Sequence, residues 1–278
     1  MKFTKMHGCG NDYVYVNCFV EQVADAPYLS RVVSDRHFGI GSDGLILIKP
    51  SEKADFTMDM YNADGSNSQM CGNGIRCVAK YVYDYGLTDK KNITVESGGS
   101  VKYLDLNVTD GKVTEVTVNM GTPITKPGLI PVISDKKQVI AEPLLIDGNT
   151  YEITCVSMGN PHAVVFVEDT KAVEIEKIGP LFEHNEIFPE RTNTEFIHVI
   201  DRKTIDMRVW ERGSGETLAC GTGACASVYA CILNGYTEDT VTVRLLGGEL
   251  KIQYDREKHT IFMTGPAVTV FDGELNVN

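Results

Sequence analysis

Residues 71–86 read CGNGIRCVAKYVYDYG, and residues 220–235 read CGTGACASVYACILNG. Both segments open with a cysteine and two glycines around one polar residue, and both close on a glycine, Gly86 or Gly235. Apolar residues recur at helical spacing between these ends, so each segment predicts a helix that begins after the cysteine and ends at the glycine. The two cysteines are 149 positions apart, as are the two closing glycines. This shared offset indicates an internal duplication.

The same offset relates landmarks outside the two segments. Gly10-Asn11 corresponds to Gly159-Asn160, and the stretch that ends at Asn62 corresponds to the one that ends at Glu211. Each copy spans roughly 120 to 150 residues, which is an ordinary domain size. A period this long excludes solenoids and propellers, whose repeats are much shorter.

Short apolar or alternating runs predict strands on both sides of each helix. In the first copy they lie at 3–5, 13–17, 45–48, 56–61, 93–96, 101–106 and 113–118. In the second they lie at 151–156, 163–167, 196–200, 205–210, 241–245, 248–253 and 261–264. Further helices are predicted at 27–36 and 173–184, and the turn Gly121-Thr122-Pro123 marks the boundary between the copies. The predicted fold class is therefore α/β (α+β), rich in strands, with two similar halves.

Composition narrows the functional classes. The 278 residues are 42% hydrophobic and 23% charged, with a net charge of -12, which disfavours a non-specific grip on nucleic acid or anionic membrane. The first seven residues lack the apolar core of a signal peptide, and no apolar stretch approaches the roughly 18 residues of a membrane span. We expect a cytoplasmic protein whose eight cysteines stay reduced. The C-x2-C spacing of structural zinc sites is missing, so no metal is expected.

The two helix starts suit acid–base chemistry on an amino acid. A helix begins with unpartnered N–H groups and about half a positive charge, and glycines let that backbone approach a ligand. Two opposed starts could hold a carboxylate, with one thiol on each face of the α-carbon. We expect the dipole to lower the pKa of each cysteine from about 8.5 toward neutrality. One thiolate would remove the α-hydrogen while the other thiol returns a proton, so the resting pair would share one proton.

Other interpretations remain open. Each segment could be a glycine-rich turn around a buried cysteine. Phosphate-binding loops are disfavoured because both the Gly-x-x-x-x-Gly-Lys-Ser/Thr and the Gly-x-Gly-x-x-Gly patterns are absent, and a cysteine protease would leave one thiol unused. The chain could also be a catalytically inactive module that binds amino acids, although the retention of both thiols speaks against this interpretation. The chain could instead be a thiol–disulfide redox protein. Separately, Cys71 and Cys220 could bond to each other on oxidation, and activity lost in air would then be recovered with dithiothreitol.

The whole chain resembles the diaminopimelate epimerase family. Six segments carry the resemblance: Met6-His7-Gly8-x-Gly10-Asn11-Asp12, Tyr61-Asn62-Ala63-Asp64-Gly65-Ser66, Cys71-Gly72-Asn73-Gly74-x-Arg76-Cys77, Ser157-Met158-Gly159-Asn160-Pro161-His162, Glu211-Arg212-Gly213-x-Gly215-Glu216-Thr217 and Ala219-Cys220-Gly221-Thr222-Gly223. The resemblance implies an epimerase that interconverts LL- and meso-diaminopimelate without pyridoxal phosphate or any other cofactor. It also implies a homodimer and two pseudo-symmetric domains, each a strand barrel around a central helix, with the active site between them. The C-terminal segment should return to the first domain, giving domains of residues 1–120 plus 266–278 and of residues 121–265.

The resemblance also implies roles for individual residues. Cys71 and Cys220 would be the acid/base pair. Gly72, Asn73, Gly221 and Thr222 would donate backbone N–H groups to the reacting carboxylate. The remaining substrate groups, mainly at the distal end, would be bound by Asn11, Asn62, Asn160, Asn193, Glu211 and Arg212. His162 and Glu211 resemble residues thought to tune the pKa of the thiols.

Two positions depart from the family pattern, and two rivals share its chemistry. Gly44 stands where some members carry a substrate-contacting glutamine, and Phe271 stands where some use a tyrosine in the dimer contact. A racemase of the same fold could act on another amino acid such as histidine. Proline racemases also use two cysteines, but a histidine typically follows their first Cys-Gly, where this chain has Asn73.

Overall fold

The computed structural model describes residues 1–68 and 70–276, and it divides the chain into two compact units. Unit 1 comprises residues 1–119 with 264–278, and unit 2 comprises residues 120–263. The predicted domain limits at 120/121 and 265/266 fall beside these boundaries, although the description of each unit as an epimerase domain stays a prediction. Val277 and Asn278, the end of the first predicted domain, lie outside the described residues.

The predicted mixed α+β class is confirmed, since many strands accompany few helices. In chain order the strands are β1 (Lys2–Gly8), β2 (Asn11–Asn17), β3 (Gly44–Lys49), β4 (Phe56–Asn62), β5 (Asn67–Ser68), β6 (Asn92–Ser97), β7 (Ser100–Thr109), β8 (Lys112–Gly121), β9 (Glu142–Ile146), β10 (Asn149–Ser157), β11 (Pro161–Phe166), β12 (Asn193–Asp201), β13 (Thr204–Glu211), β14 (Gly215–Thr217), β15 (Thr240–Leu245), β16 (Gly248–Asp255), β17 (Thr260–Pro266) and β18 (Val268–Glu274). The α-helices are α1 (Ala26–Ser34), α2 (Gly72–Asp84), α3 (Ile175–Glu183) and α4 (Gly221–Leu233). In the part of the chain that the structure describes, no helix is long and apolar enough to cross a membrane.

Unit 1 is a mixed sheet around α2. Strand β2 pairs antiparallel with β1 and parallel with β3, β3 is antiparallel to β4, and β4 is parallel to β6. Strands β6, β7 and β8 follow as antiparallel neighbours. Strand β18 returns from the C-terminal segment and pairs antiparallel with β1. Helix α2 packs against β1, β2 and β7.

Unit 2 repeats this order of pairings. Strand β11 is antiparallel to β10 and parallel to β12, β12 is antiparallel to β13, and β13 is parallel to β15, which is antiparallel to β16. Helix α4 packs against β10, β11, β12, β15 and β16. Both central helices have 13 residues, and their starts at Gly72 and Gly221 keep the offset of 149 found in the sequence. The duplication therefore extends to topology.

The ends of the two central helices follow from their sequences. Cys71 and Cys220 have extended backbone conformations and act as N-caps, each sulfur accepting a hydrogen bond from the N–H three residues later. After each helix, Gly86 and Gly235 adopt φ of +75° and +73°, a left-handed conformation in which glycine avoids the steric penalty of a Cβ atom. Helix start and stop were both predictable for this reason.

Candidate active site

In unit 1, Cys71 lies half-buried at the first turn of α2. Its Sγ atom accepts a hydrogen bond from the Gly74 backbone N–H at 3.3 Å. A Cβ atom on Gly74 would stand 2.7 Å from Cδ1 of Ile46 on β3, so a larger residue at this position would require the Ile46 side chain to move.

Asn11 connects this turn to the carboxylate of Asp43. Its Oδ1 accepts hydrogen bonds from the Cys71 thiol at 3.3 Å and from Asn73 Nδ2 at 3.4 Å. On the other side, Asn11 Nδ2 donates to Asp43 Oδ2 at 2.8 Å. Burial, followed by the negative charge of Asp12, raises the pKa of Asp43, while hydrogen bonds from the Asp12 N–H and from Asn11 oppose that shift. Because a carboxylate oxygen only accepts, Asp43 turns the amide oxygen of Asn11 toward the sulfur.

A fully buried arginine supports the same turn. Arg76 donates through Nη1 to the Gly72 carbonyl at 2.9 Å and through Nη2 to Asn73 Oδ1 at 3.0 Å. Asn73 is thereby held between Arg76 and Asn11. The remaining predicted residue of this unit, Asn62, ends β4 and donates to Ser66 Oγ at 3.0 Å.

In unit 2, Cys220 lies at the first turn of α4 and is only 5% exposed. The Gly223 N–H donates to its Sγ at 3.4 Å, and the Thr222 hydroxyl lies 3.5 Å from the same sulfur. Asn160 Nδ2 donates to Thr222 Oγ1 at 3.3 Å. The structure therefore brings three predicted site residues, Cys220, Thr222 and Asn160, into one hydrogen-bonded group.

His162 extends this group into the protein interior. Its Nε2 lies 3.0 Å from Asn160 Oδ1, and its Nδ1 lies 2.7 Å from Oε1 of Glu195 on β12. Both His162 and Glu195 are fully buried. Both ring nitrogens therefore have polar partners, and the contacts on the Nε2 side continue through Asn160 to Thr222 and Cys220.

The expectation that the helix dipole lowers the thiol pKa is wrong for Cys220. Burial raises the pKa of Cys220 well above its ordinary value, and the negative charges of Glu211 and Glu195 raise it further. Hydrogen bonds from Thr222 and from the Gly223 N–H act in the opposite direction but do not reverse the shift. Removal from water and two nearby carboxylates outweigh the half charge of a helix start, so Cys220 is a protonated thiol near neutral pH.

Of these two carboxylates, only Glu211 belongs to the predicted set. Burial raises its pKa, while hydrogen bonds from Thr217 and Cys220, together with the charge of His162, oppose the shift. The Thr217 hydroxyl donates to Glu211 Oε1. This pairing replaces the ion pair with Arg212 that adjacency in sequence would suggest.

Arg212 is oriented by a different predicted residue. Asn193 is buried and donates through Nδ2 to the Pro161 carbonyl at 2.7 Å, while its Oδ1 accepts from the Arg212 backbone N–H at 2.9 Å. The guanidinium donates through Nη1 to the Glu190 carbonyl at 2.9 Å. Asn193 thus fixes the backbone from which the guanidinium projects.

Sequence reasoning missed two acidic residues of these groups, Asp43 and Glu195. Asp43 directly precedes Gly44, where a Cβ atom would stand 2.1 Å from the Tyr61 carbonyl oxygen. Glu195 carried a usable signal, because it interrupts an otherwise apolar strand and corresponds to Ile46 at the offset of 149.

Comparisons with known proteins place this geometry in context. A family model described as diaminopimelate epimerase matches residues 3–126 and 154–270. A diaminopimelate epimerase of Agathobacter rectalis is 60% identical over 284 residues, covering 100% of both chains. One of Acetivibrio thermocellus is 58% identical over 278 residues, covering 100% of this chain and 99% of the relative.

Solved structures share the fold at much lower identity. A phenazine biosynthesis protein of the PhzF family from Bacillus anthracis superposes with a TM-score of 0.71 at 18% identity, covering 100% of this chain and 99% of the other. A hydroxyproline epimerase from Agrobacterium vitis gives a TM-score of 0.71 at 13% identity, covering 99% and 90%. At such identities the likeness is one of fold alone.

Proposed function

Because the chain belongs to the diaminopimelate epimerase family, we propose that it interconverts LL- and meso-2,6-diaminopimelate. This isomerisation serves lysine and peptidoglycan precursor synthesis. The observation that carries the proposal is the pair of thiols at equivalent positions of a duplicated fold, each capping the start of a buried central helix. Identity of 60% over the full chain supports the choice of substrate.

The proposed chemistry is transfer of one proton at the α-carbon. One thiolate removes the α-hydrogen, and the thiol of the other unit returns a proton to the opposite face, so the centre inverts and no electrons leave the substrate. Each cysteine serves as the base in one direction of the reaction and as the acid in the other. No cofactor or metal takes part in the proposed steps.

Backbone N–H groups stabilise the charge that develops on the reacting carboxylate. Gly72 and Asn73 open α2, and Gly221 and Thr222 open α4, and the N–H groups of the first helical turn point out of the N-terminal end of the helix. Donors already aimed at the carboxylate stabilise the transition state without further reorganisation. Six side chains bind the remaining substrate groups in this proposal: Asn11, Asn62, Asn160, Asn193, Glu211 and Arg212. Arg212 suits the distal carboxylate, which a planar guanidinium can bind through two hydrogen bonds.

Assembly and location complete the proposal. Strand β18 exposes Val268, Val270 and Phe271 by 40%, 54% and 46%, and such exposed apolar residues favour a homodimer through this strand. Because Phe271 lacks a hydroxyl, its contribution would be apolar packing. The cytoplasm is the proposed compartment, since it keeps catalytic thiols reduced.

Incubation with LL-diaminopimelate in D2O, without pyridoxal phosphate, tests the function. We expect the meso isomer to appear with one deuterium at the inverted carbon, as chiral separation and mass analysis would show.

Cys71→Ala and Cys220→Ala should each slow epimerisation by about 10²–10⁴-fold, the usual contribution of general acid–base catalysis. Absence of inversion and exchange in the unaltered protein would refute the substrate, and histidine and proline would be tested next. Full epimerase activity of either alanine variant would refute the two-thiol mechanism.

A further inference from the structure

Glu183 is a buried carboxylate at the end of α3 that the proposed reaction does not use. Its residue is only 4% exposed. Its Oε2 accepts a hydrogen bond from the Trp210 indole Nε1 at 2.7 Å, and its Oε1 accepts from the Gly213 backbone N–H at 2.9 Å and from Arg191 Nη1 at 3.2 Å. An indole N–H, a backbone N–H and a guanidinium can only donate. The direction of all three bonds to Glu183 is therefore fixed by chemistry.

Two of these donors stand on either side of Arg212 in the sequence. Trp210 precedes the pair Glu211-Arg212, and Gly213 follows it. The segment forms a tight turn, because the Ser214 N–H donates to the Glu211 carbonyl at 3.0 Å and Gly213 has a φ of +78°. One carboxylate thus ties both ends of the segment from which the Arg212 side chain projects to the end of α3.

The third donor belongs to the segment that contacts the Arg212 guanidinium. Arg191 directly follows Glu190, whose backbone carbonyl accepts from Arg212 Nη1 at 2.9 Å. Arg191 has a φ of +61°, a left-handed conformation that is uncommon for residues with a Cβ atom. Its ion pair with Glu183 ties this backbone to α3. Glu183 therefore contacts the segments that hold Arg212 at its backbone and at its guanidinium.

The indole that reaches Glu183 fits closely against α3. A Cβ atom on Gly179, four residues before Glu183, would stand 2.5 Å from Cδ2 of Trp210, so a larger residue there would require the indole to move. A Cβ atom on Gly215 of β14 would stand 3.6 Å from Cη2 of the same ring. The single tryptophan of the chain thus packs against both elements and donates its N–H to the carboxylate.

The first copy of the duplication forms the same turn without these groups. At the offset of 149, Ser34 corresponds to Glu183, and Ala63 corresponds to Arg212. The turn of unit 1 is nevertheless closed by the equivalent backbone hydrogen bond, at 2.9 Å. A buried carboxylate is costly to desolvate, and the turn closes without one. The carboxylate and the arginine occur together in unit 2, which links Glu183 to Arg212 and not to closure of the turn.

We propose that Glu183 is a positioning residue that holds Arg212 in place to bind the distal carboxylate of the substrate. The inference rests on the proposed role of Arg212. The Glu190 carbonyl takes one of the five N–H donors of the guanidinium, and a carboxylate can accept from two of the others. Two parallel bonds require a defined orientation of the guanidinium, so a displaced turn would weaken them. Glu183 thereby favours a substrate with a second carboxylate.

Nitrogen–proton NMR of ¹⁵N-labelled protein tests these contacts without any substrate. The single tryptophan gives one indole signal, and the assigned Gly213 amide gives the second. Glu183→Gln keeps the size of the side chain but has one accepting oxygen, so it can serve the indole or the Gly213 N–H but not both. We expect at least one of the two signals to move upfield, as an N–H does when it loses a bond to a carboxylate. Two unmoved signals would overturn the proposal.

Steady-state kinetics tests the consequence for substrate binding. The distal carboxylate keeps its charge during proton transfer, so weaker binding there raises KM while kcat changes little. We expect Glu183→Gln to raise the KM for LL-diaminopimelate by about tenfold, the scale of one weakened hydrogen bond to a charged group, and to lower kcat by less than about threefold. Glu186→Gln is the matched control, since it makes the same exchange at an exposed carboxylate three residues later. Both of its constants should be unchanged.

A double-mutant cycle separates positioning of Arg212 from a general loss of stability. Arg212→Lys keeps the charge but loses the paired bonds, and it should itself raise KM. Adding Glu183→Gln to Arg212→Lys should then raise KM by less than about twofold more, because the two residues act through one contact. Multiplied effects, or a lower kcat without a higher KM, would show that Glu183 does not act through Arg212. Thermal melting of each variant checks folding. If the unaltered protein lacks epimerase activity, the proposed function fails, while the NMR result still decides whether Glu183 holds the turn.

Discussion

Asn62 and Glu211 stand at equivalent places, 149 positions apart, at the ends of β4 and β13. The second copy thus carries a carboxylate where the first carries a neutral amide, and Glu195 opposite Ile46 repeats the pattern. Both carboxylates raise the pKa of Cys220. Divergence at single positions has therefore placed two carboxylates near Cys220 at positions where the first copy has uncharged residues.

This difference predicts how fast Cys220 reacts with iodoacetamide. A thiolate is the reactive form, and the pKa of Cys220 is raised by burial first and by Glu211 next. Glu211→Gln removes a negative charge, lowers the pKa and increases the thiolate fraction at a given pH. In a Cys71→Ser background we expect alkylation of Cys220, followed by mass analysis from pH 7 to 10, to become several-fold faster below the midpoint. Superimposable curves for Glu211→Gln and its parent would show that Glu211 does not raise the pKa of Cys220. Glu257→Gln, which removes an exposed charge of the same unit, should leave the curve unchanged.

Residue types in short motifs were predictable, but their charge environment was not. Cys71, Cys220, Asn11 and Asn160 could be singled out because the duplication repeats them. The raised pKa of Cys220 could not, because it depends on burial and on Glu195, which is distant in sequence and reaches the thiol only through β12 packing beneath α4.

Helices α2 and α4 are the elements on which both units are built, and each carries a buried thiol that takes no part in the proposed chemistry. Burial raises the pKa of Cys77 on α2 to about 11 and that of Cys231 on α4 to about 12. A thiol is neutral when protonated, so the folded state holds these protons more tightly than the unfolded chain. Their contribution is fully present below the ordinary pKa of 9.0 and is lost as pH rises toward the folded values.

We therefore expect the free energy of unfolding to fall between pH 9 and 11. Cys77 alone would contribute about 2–3 kcal/mol of that loss by pH 11, since one pKa unit corresponds to about 1.4 kcal/mol. Urea unfolding at pH 8, 9.5 and 10.5 measures the effect. Cys77→Ala should start less stable at pH 8, because it leaves a small cavity, and then lose less with rising pH. Parallel pH profiles for the two proteins would rule out Cys77 as a source.

Element prediction succeeded where end signals and periodicity agreed. The cysteine caps mark where α2 and α4 begin, and the left-handed Gly86 and Gly235 mark where these helices end. Strands β5 and β14, of two and three residues, are too short to show any alternation. They form because the chain between a long strand and a helix folds back beside that strand, which is a tertiary constraint.

At the scale of the whole molecule, duplication determines the pairings but not where each paired strand lies in the chain. The order of pairings from β1 to β7 recurs from β10 to β16, and β18 pairs antiparallel with β1 as β9 pairs antiparallel with β10, although β18 is the last strand of the chain and β9 directly precedes β10. The exposed side chains of β18 include Val270 and Phe271, although Phe271 also packs edge-on against Phe3 with ring centroids 5.9 Å apart. A strand left partly apolar on its exposed surface is suited to contact a second copy.

Substitution of Phe271 tests this assembly. A charge at the centre of an apolar contact costs more than it does on open surface, because pairing would bury it without a partner. We expect size-exclusion chromatography with light scattering to give twice the chain mass for the unaltered protein and a shift toward the single-chain mass for Phe271→Asp.

Tyr103→Asp is the matched control: it places the same charge at an exposed aromatic position, 63% accessible, on β7 of the same unit, and should leave the mass at two chains. Phe271→Tyr should also remain dimeric, because the contact proposed here needs an aromatic ring and not a hydroxyl. A Phe271→Asp protein that keeps the mass of two chains would place the interface elsewhere, and a single-chain mass for the unaltered protein would refute the homodimer itself.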